Sequence, residues 1–236
     1  MAIRNYHHGM TTKTYPMPFT RIELIVFAVH PSGLEVLLIK RTEAPFAGQW
    51  ALPGGVLRID MDMDLESAAQ RIAVERLGTP VPYIEQWGAI GGASRDPRAP
   101  WALSIVYQAL VPGEQIQPKP GKRIAAIDWR PASDAATDAT LAFDHRKLIE
   151  LAMTRIRSAI DRLELPAGYF ETPFTLTELQ ATCEAILGHR LDKSSFRRKL
   201  AERQLVQPVE GQFRQGAFRP AQLFELVAAD PRNASR

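Results

Sequence analysis

The sequence predicts an α+β protein in two units, and three observations carry that prediction. Apolar runs rich in β-branched residues recur at 21–29, 34–41, 101–110 and 124–131, the pattern of buried strands. Apolar residues at helical spacing fill 66–77 and 143–164. After turn-rich residues at 165–173, about sixty residues of a different, basic character follow.

The elements follow in order. Residues 1–20 hold no apolar stretch of signal-peptide type and are expected to be a loosely ordered lead-in, with His7 and His8 incidental to function. "RIELIVFAV" (21–29) and "LEVLLIKR" (34–41) are strands joined by the turn "HPSG". "TEAPFAGQWALPGG" (42–55) is expected to be a loop. Asp64 is placed to cap a helix over 66–77 that Gly78 ends. Strands are expected at 83–90, 101–110 and 124–131, then a long helix at 143–164 with Leu148, Leu151, Ile156, Ile160 and Leu163 as its apolar stripe.

Composition narrows the function class. No apolar run reaches the roughly eighteen residues of a membrane span, so no membrane role is expected. The single Cys183 excludes an internal disulfide and a thiolate zinc cluster, and its helical spacing in "LQATCEAIL" predicts burial. A reducing cytoplasm fits these facts. The net charge of +3 hides an asymmetry: residues 190–219 hold eight Lys/Arg against three acids, leaving the remainder at −2. A basic segment on a slightly acidic body points to a polyanion partner for one unit only. The expected division is therefore a lead-in (1–20), a ligand-sensing unit (21–165) and a nucleic-acid-binding unit (166–236).

"VLLIKRTEAPFAGQWALPGG" followed by the 66–77 helix resembles a Nudix domain, whose box reads G-x5-E-x7-R-E-U-x-E-E-x-G-U with U aliphatic. The resemblance implies an α/β/α sandwich with a mixed sheet. It also implies a site that cleaves nucleoside diphosphate derivatives with a divalent metal held by box glutamates. Glutamates at i, i+3 and i+4 share one helix face and supply hard oxygens for magnesium. In this chain Arg71 matches the box Arg, Ile72 stands where the first Glu belongs, Glu75 matches the next, Arg76 replaces its neighbour and Gly78 matches the Gly. Two residues more than the family spacing separate Gly55 from Arg71, and "DMDMD" (60–64) occupies that region. One carboxylate beside one guanidinium is a poor magnesium site, so no metal site and no catalytic residue are expected. Asp60 or Asp62 could fold back toward the helix, whereas Glu66 lies almost three turns from Glu75, too far to share an ion. The plain structural role for Arg71 and Glu75 is an i,i+4 pair that orients the Gly-Gly loop.

A pocket can outlast its metal. Backbone amides around Gly54 and Gly55, with Arg41, Arg58, Arg95 and Arg98, are candidates for holding phosphates; each arginine alone is more often a solvated surface charge, and their joint placement on loops around one cleft makes the case. Arg71 and Glu75 belong to the same candidate site. Trp50 and Phe46 could stack on a base, while Trp87 suits core packing. His145 in "LAFDHRK" suits a cap at a helix start rather than catalysis.

The second unit reads as helix, turn, helix, hairpin. Thr175 and Glu178 form a capping box, Gly188 ends the first helix, and Asp192 caps a second spanning about 193–203. Phe196 and Leu200 face the core, leaving Lys193, Ser194, Ser195, Arg197 and Arg198 as candidates for a major groove. "VQPVEGQFRQGAFRP" (206–220) reads as two short strands around a Gly turn, a wing whose Arg214 and Arg219 could grip the backbone. This is winged-helix architecture; the plain alternative is a basic, solvated helix.

The whole chain resembles the Nudix-related transcriptional regulators, whose best-known members control NAD metabolism. "LAFDH" (141–145), "RDPR" (95–98), "FTLTELQ" (174–180), "LDKSSFRRKL" (191–200) and "RPAQLF" (219–224) carry the likeness. The resemblance implies a homodimer that binds a palindromic double-stranded operator. It implies a non-catalytic Nudix domain answering to a nucleotide effector such as ADP-ribose, with no cofactor required, and repression of NAD-related genes. The rival expectation is an active metal-dependent Nudix hydrolase of ADP-ribose-type compounds with an accessory module.

Overall fold

The computed structural model describes residues 18–113, 115–165, 169–170, 172–215 and 220–227. Among the described residues nine strands and five helices run in the order β1 (Phe19–His30), β2 (Gly33–Arg41), β3 (Trp50–Ala51), β4 (Gly54–Val56), α1 (Leu65–Leu77), β5 (Glu85–Ala93), β6 (Trp101–Pro112), β7 (Ile124–Pro131), α2 (Ala132–Ala135), α3 (His145–Asp161), α4 (Leu176–Leu187), α5 (Lys193–Glu202), β8 (Val206–Arg214) and β9 (Ala221–Leu226). Seven of the strands form one mixed sheet in the order β3-β2-β1-β6-β5, with β4 paired to β1 and β7 to β2. β1 and β6 run parallel and the other pairs antiparallel.

β1 is buried from Arg21 through Val29 because both faces of the sheet are covered. Ile22, Leu24, Val26 and Ala28 face α1, whose Ala68, Ala69, Ile72, Ala73 and Leu77 close one layer. Ile25, Phe27 and Val29 face α3 and α4. Full burial of Ile72 and Leu77 contributes roughly 2 kcal/mol each. The layers are those of an α/β/α sandwich, as the resemblance implied. The core on the α3 side continues through Leu179, Cys183 and Ile186 of α4 to Phe196 and Leu200 of α5. Cys183 is buried as its spacing predicted, and burial pushes its thiol up to about 12.

The helix ends follow the side chains that cap them. Asp64 accepts from the Ser67 N–H while the Ser67 hydroxyl accepts from the Asp64 N–H, and Gly78 ends α1 in the left-handed region at φ 69°. Thr175 and Glu178 form the expected capping box, Gly188 ends α4 at φ 80°, and Asp192 accepts from the Ser195 N–H.

Three expectations need correction. Residues 42–55 are not loop throughout: β3 and the start of β4 lie within them, their extended backbone held by β2 and β1. His145 does not cap α3; Asp144 sits at the N-cap without a side-chain hydrogen bond there, and His145 points inward. The hairpin strands are 206–214 and 221–226 rather than both within 206–220, and Gly211 (φ 70°) lies inside β8 beside a register shift, while Gly216, between the strands, falls outside the described residues.

Candidate functional site

Two charges sit inside the apolar run of β1, and their partners come from distant parts of the chain. Arg21 Nε donates to Glu23 Oε1 at 2.8 Å, Arg21 also lies 3.8 Å from Asp96, and the Ser104 hydroxyl donates to Glu23 at 3.4 Å. His145 Nδ1 accepts from the Leu52 N–H at 2.9 Å, which puts the ring proton on Nε2, 3.5 Å from Glu23 Oε2. That oxygen is buried and makes no hydrogen bond. Burial pushes the Glu23 carboxyl up, but Arg21 and His145 outweigh it and hold the group down to about 2. The cluster ties β1, the 94–98 loop and the start of α3 together beneath Phe143, whose ring carries Arg21 at 5.3 Å and Arg41 at 5.1 Å. Phe46 meets the same ring edge-on at 4.7 Å.

Arg21 and Glu23 escaped the sequence reading, and Asp96 and Phe143 entered it only within "RDPR" and "LAFDH", without a role. The signal was present: an arginine and a glutamate within an otherwise apolar strand must be paired when buried.

The box helix explains itself through packing. Ile72 is fully buried and packs against Gly55, where an added Cβ would stand 3.0 Å from Ile72 Cγ1. Arg71 makes the expected i,i+4 contact with Glu75 at 3.4 Å and donates to the Val56 carbonyl at 3.1 Å. Its strongest partner is Asp62, bound through two nitrogens at 2.6 and 2.8 Å. The inserted segment has folded back, but onto a guanidinium. These hydrogen bonds hold the Asp62 carboxyl below its usual range. Asp60 pairs with Arg58 at 3.2 Å. Arg76 donates to the Gly54 carbonyl at 3.0 Å and to the Lys122 carbonyl at 2.7 Å.

The magnesium that the fold family implies does not fit these residues. Ile72 belongs to the core, Arg76 is a cation, and Glu75 and Asp62 are both engaged by Arg71. Among the described residues no three His, Cys, Asp or Glu side chains are grouped to hold a metal ion.

The remaining first-unit candidates are placed as follows. Arg41 donates to the Pro45 carbonyl at 2.9 Å and the Glu43 carbonyl at 3.2 Å at the end of β2. Arg98 grips Asp96 through two nitrogens and lies 5.9 Å from the centre of the Phe143 ring. Arg95 is bidentate on Asp144 at 2.7 and 2.8 Å. Those two arginines brace the loop, and Arg98 also borders the rim around Phe143. Arg58 stands out on the inserted turn. Gly54 and Gly55 are buried in the ladder with β1, not in an open loop; a Cβ on Gly54 would overlap the Glu23 carboxylate. One face of Trp50 carries the Arg130 guanidinium at 4.3 Å. Trp87 packs against the core as expected. Phe143 is the aromatic that Arg21, Arg41 and Arg98 all approach.

In the second unit, α5 buries Phe196 and Leu200 and turns Lys193, Ser194, Arg198 and Lys199 outward. Arg198 lies opposite the buried stripe, with Glu202 at 3.6 Å. Ser195 is half-buried. Arg197 does not point away from the core: its Nε is buried, because it shares a helix ridge with Leu200 and runs along the cleft toward β8 and β9. Arg214 is not free on a wing; it donates to the Pro173 carbonyl at 3.2 Å and lies 3.3 Å from Glu178. Arg219 falls outside the described residues.

Comparison with known proteins places both units. Residues 20–152 match the NUDIX domain and residues 169–226 the NrtR DNA-binding winged helix domain. The ADPR responsive transcriptional repressor NtrR of Acinetobacter baylyi is 36% identical over 216 residues, 92% of this chain and 85% of the relative. The crystal structure of Shewanella oneidensis NrtR complexed with a 27mer DNA is 32% identical and covers 88% of this chain and 93% of its own, with a TM-score of 0.68. The NUDIX domain of that NrtR, complexed with ADP ribose, is 34% identical, covers 60% of this chain and 90% of its own, and has a TM-score of 0.55.

Proposed function

The chain belongs to the NrtR-type regulators, which join a NUDIX domain to an NrtR winged helix, and we propose that it works as an ADP-ribose-responsive transcriptional repressor. One observation carries the reading. The box position that should offer a metal-binding carboxylate is Ile72, a fully buried core residue, in a chain whose other unit presents an outward row of Ser and cations. The fold has been kept and its metal chemistry given up.

The ligand site is the rim around Phe143, with Arg41, Arg76 and Arg98 facing the diphosphate and Phe143 or Phe46 a base or ribose. DNA is read by Lys193, Ser194 and Arg198 in a major groove, with Ser195 and Lys199 at phosphates. Two copies on a palindromic operator set their helices about 34 Å apart. NAD-related genes in the cytoplasm are the regulated set, as for the family.

α3 couples the two sites. Its first residue, His145, touches Leu52 and Glu23 in the ligand site. Near its other end Arg157 donates to the Ile186 carbonyl at 3.0 Å, and the Arg162 carbonyl accepts from Arg203 at 2.6 Å. A rod of seventeen residues, roughly 25 Å long, thus runs from the effector to both helices of the reading unit. Ligand that shifts its near end changes the separation of the two recognition helices, and only differential affinity for the two geometries moves the equilibrium.

Selection of bound duplexes from a random pool, repeated with ADP-ribose, tests the proposal. A palindrome should emerge without ligand and disappear with it. Turnover of ADP-ribose with magnesium at an ordinary enzymatic rate, lost in Glu75→Ala, would instead support the hydrolase reading.

A further inference from the structure

Resting on the reading of this site as an ADP-ribose pocket, we propose that Arg76 supplies as a fixed guanidinium the charge that a metal ion supplies elsewhere in the fold, so that the diphosphate is held without a divalent cation. Arg76 occupies the box position next to Glu75, where a metal-binding carboxylate would stand. Both of its hydrogen bonds go to backbone carbonyls, those of Gly54 and Lys122. Its Nη2 lies 3.6 Å from where a Cβ on Gly55 would be, over the Gly-Gly strand that the glycines keep flat. Arg41 is held in the same manner, by the Pro45 and Glu43 carbonyls. Among the described residues neither guanidinium has a carboxylate ion-pair partner, whereas Arg21 and Arg71 each have two and Arg98 has one.

That arrangement is electrostatically incomplete. Burial lowers the Arg76 guanidinium below the usual arginine value, and the charges of Arg123, Arg21 and Arg71 add to the effect against Glu75. Arg41 is lowered likewise, by burial and by Arg21 and Arg98, with Arg76 contributing. Carbonyl oxygens fix where each guanidinium points but cannot neutralise it. The diphosphate of ADP-ribose carries two negative charges, matching the two arginines left without a counter-ion. Guanidinium forks bind phosphate oxygens through paired N–H bonds, so these two residues offer geometry as well as charge.

The 119–124 segment holds Arg76 in place. Lys119, Gly121 and Lys122 donate their N–H groups to the carbonyls of Leu77, Arg76 and Glu75 at 2.8, 3.1 and 2.7 Å. Lys122 then returns its own carbonyl to the Arg76 side chain, so the guanidinium is oriented before any ligand arrives.

Calorimetric titration of the full chain with ADP-ribose, in EDTA and in magnesium chloride, tests this. The wild-type affinity should agree within about twofold between the two buffers. Arg76→Ala should weaken binding about tenfold to a hundredfold in both. Arg76→Glu should bind worst in EDTA and recover in part with magnesium, because it restores a carboxylate beside Glu75. Arg41→Gln, at the end of β2, should show the Arg76→Ala loss and guards against a folding defect in α1. Wild-type binding that collapses in EDTA, or Arg76→Ala and Arg41→Gln variants that bind as wild type, overturns the inference alone. Absence of wild-type binding in both buffers overturns the ligand reading together with it.

Discussion

Replacing Glu23 with glutamine removes one charge from a buried cluster and keeps its shape. The carboxylate is 2% exposed, bonded to Arg21 at 2.8 Å, and faces His145 at 3.5 Å. Removing one partner of a buried pair costs about 3–5 kcal/mol. Asp96, 3.8 Å from Arg21, remains to offset part of the orphaned positive charge, which places the expected loss at the low end, about 3 kcal/mol. For a chain of this size each kcal/mol moves Tm by about 2–4 °C, so the midpoint should fall by roughly 6–12 °C at neutral pH. The pH dependence carries a second signature. The folded pKa of Glu23, about 2, lies below the reference value of 4.5. Its contribution is therefore complete above the reference value and is lost as pH falls from there through the folded value. Thermal unfolding followed by circular dichroism should show this acid limb shallower in Glu23→Gln than in wild type. A midpoint change under about 2 °C, with parallel acid limbs, would refute the reasoning.

Arg198→Ala should weaken operator binding by about 1–3 kcal/mol per half-site while leaving ADP-ribose affinity unchanged, since the exposed Arg198–Glu202 pair contributes little to folding. Anisotropy with a labelled duplex and calorimetry with the ligand check both halves, and a parallel loss of ligand binding would count against the separation of the two sites. Gly121→Ala should destabilise the fold by about 1–3 kcal/mol, because the new Cβ would overlap the Glu75 carbonyl oxygen. A denaturant midpoint equal to wild type would show that the 119–124 loop yields without cost.

Much of the fold was legible because its signals are local. Asp64, Thr175 and Asp192 cap helices as their positions imply, Gly78 and Gly188 end them, and 124–131 is a strand end to end. β3 and β4 were illegible because two or three residues beside Pro53 have no period of their own; their extension is imposed across the sheet, by Glu23 opposite Gly54 and Ile39 opposite Ala51. The candidate site was legible in part. Arg71 and Glu75 pair at helical spacing, but Asp62 reaches Arg71 only through the fold of the inserted turn. His145 meets Glu23 across more than a hundred residues, which no spacing rule connects. Arg197 and Arg214 show a different limit. Charge marks a residue as a candidate for DNA, whereas its helix ridge or its ion-pair partner on a neighbouring element decides where the charge points.

Under the proposed function, a pocket without metal chemistry controls the winged helix through α3. Anisotropy of a labelled operator duplex, titrated with ADP-ribose in EDTA, measures it directly. Saturating ADP-ribose should release the duplex, weakening its affinity at least about tenfold with the ligand recovered intact. Unchanged DNA affinity at a ligand concentration shown by calorimetry to fill the site would contradict it.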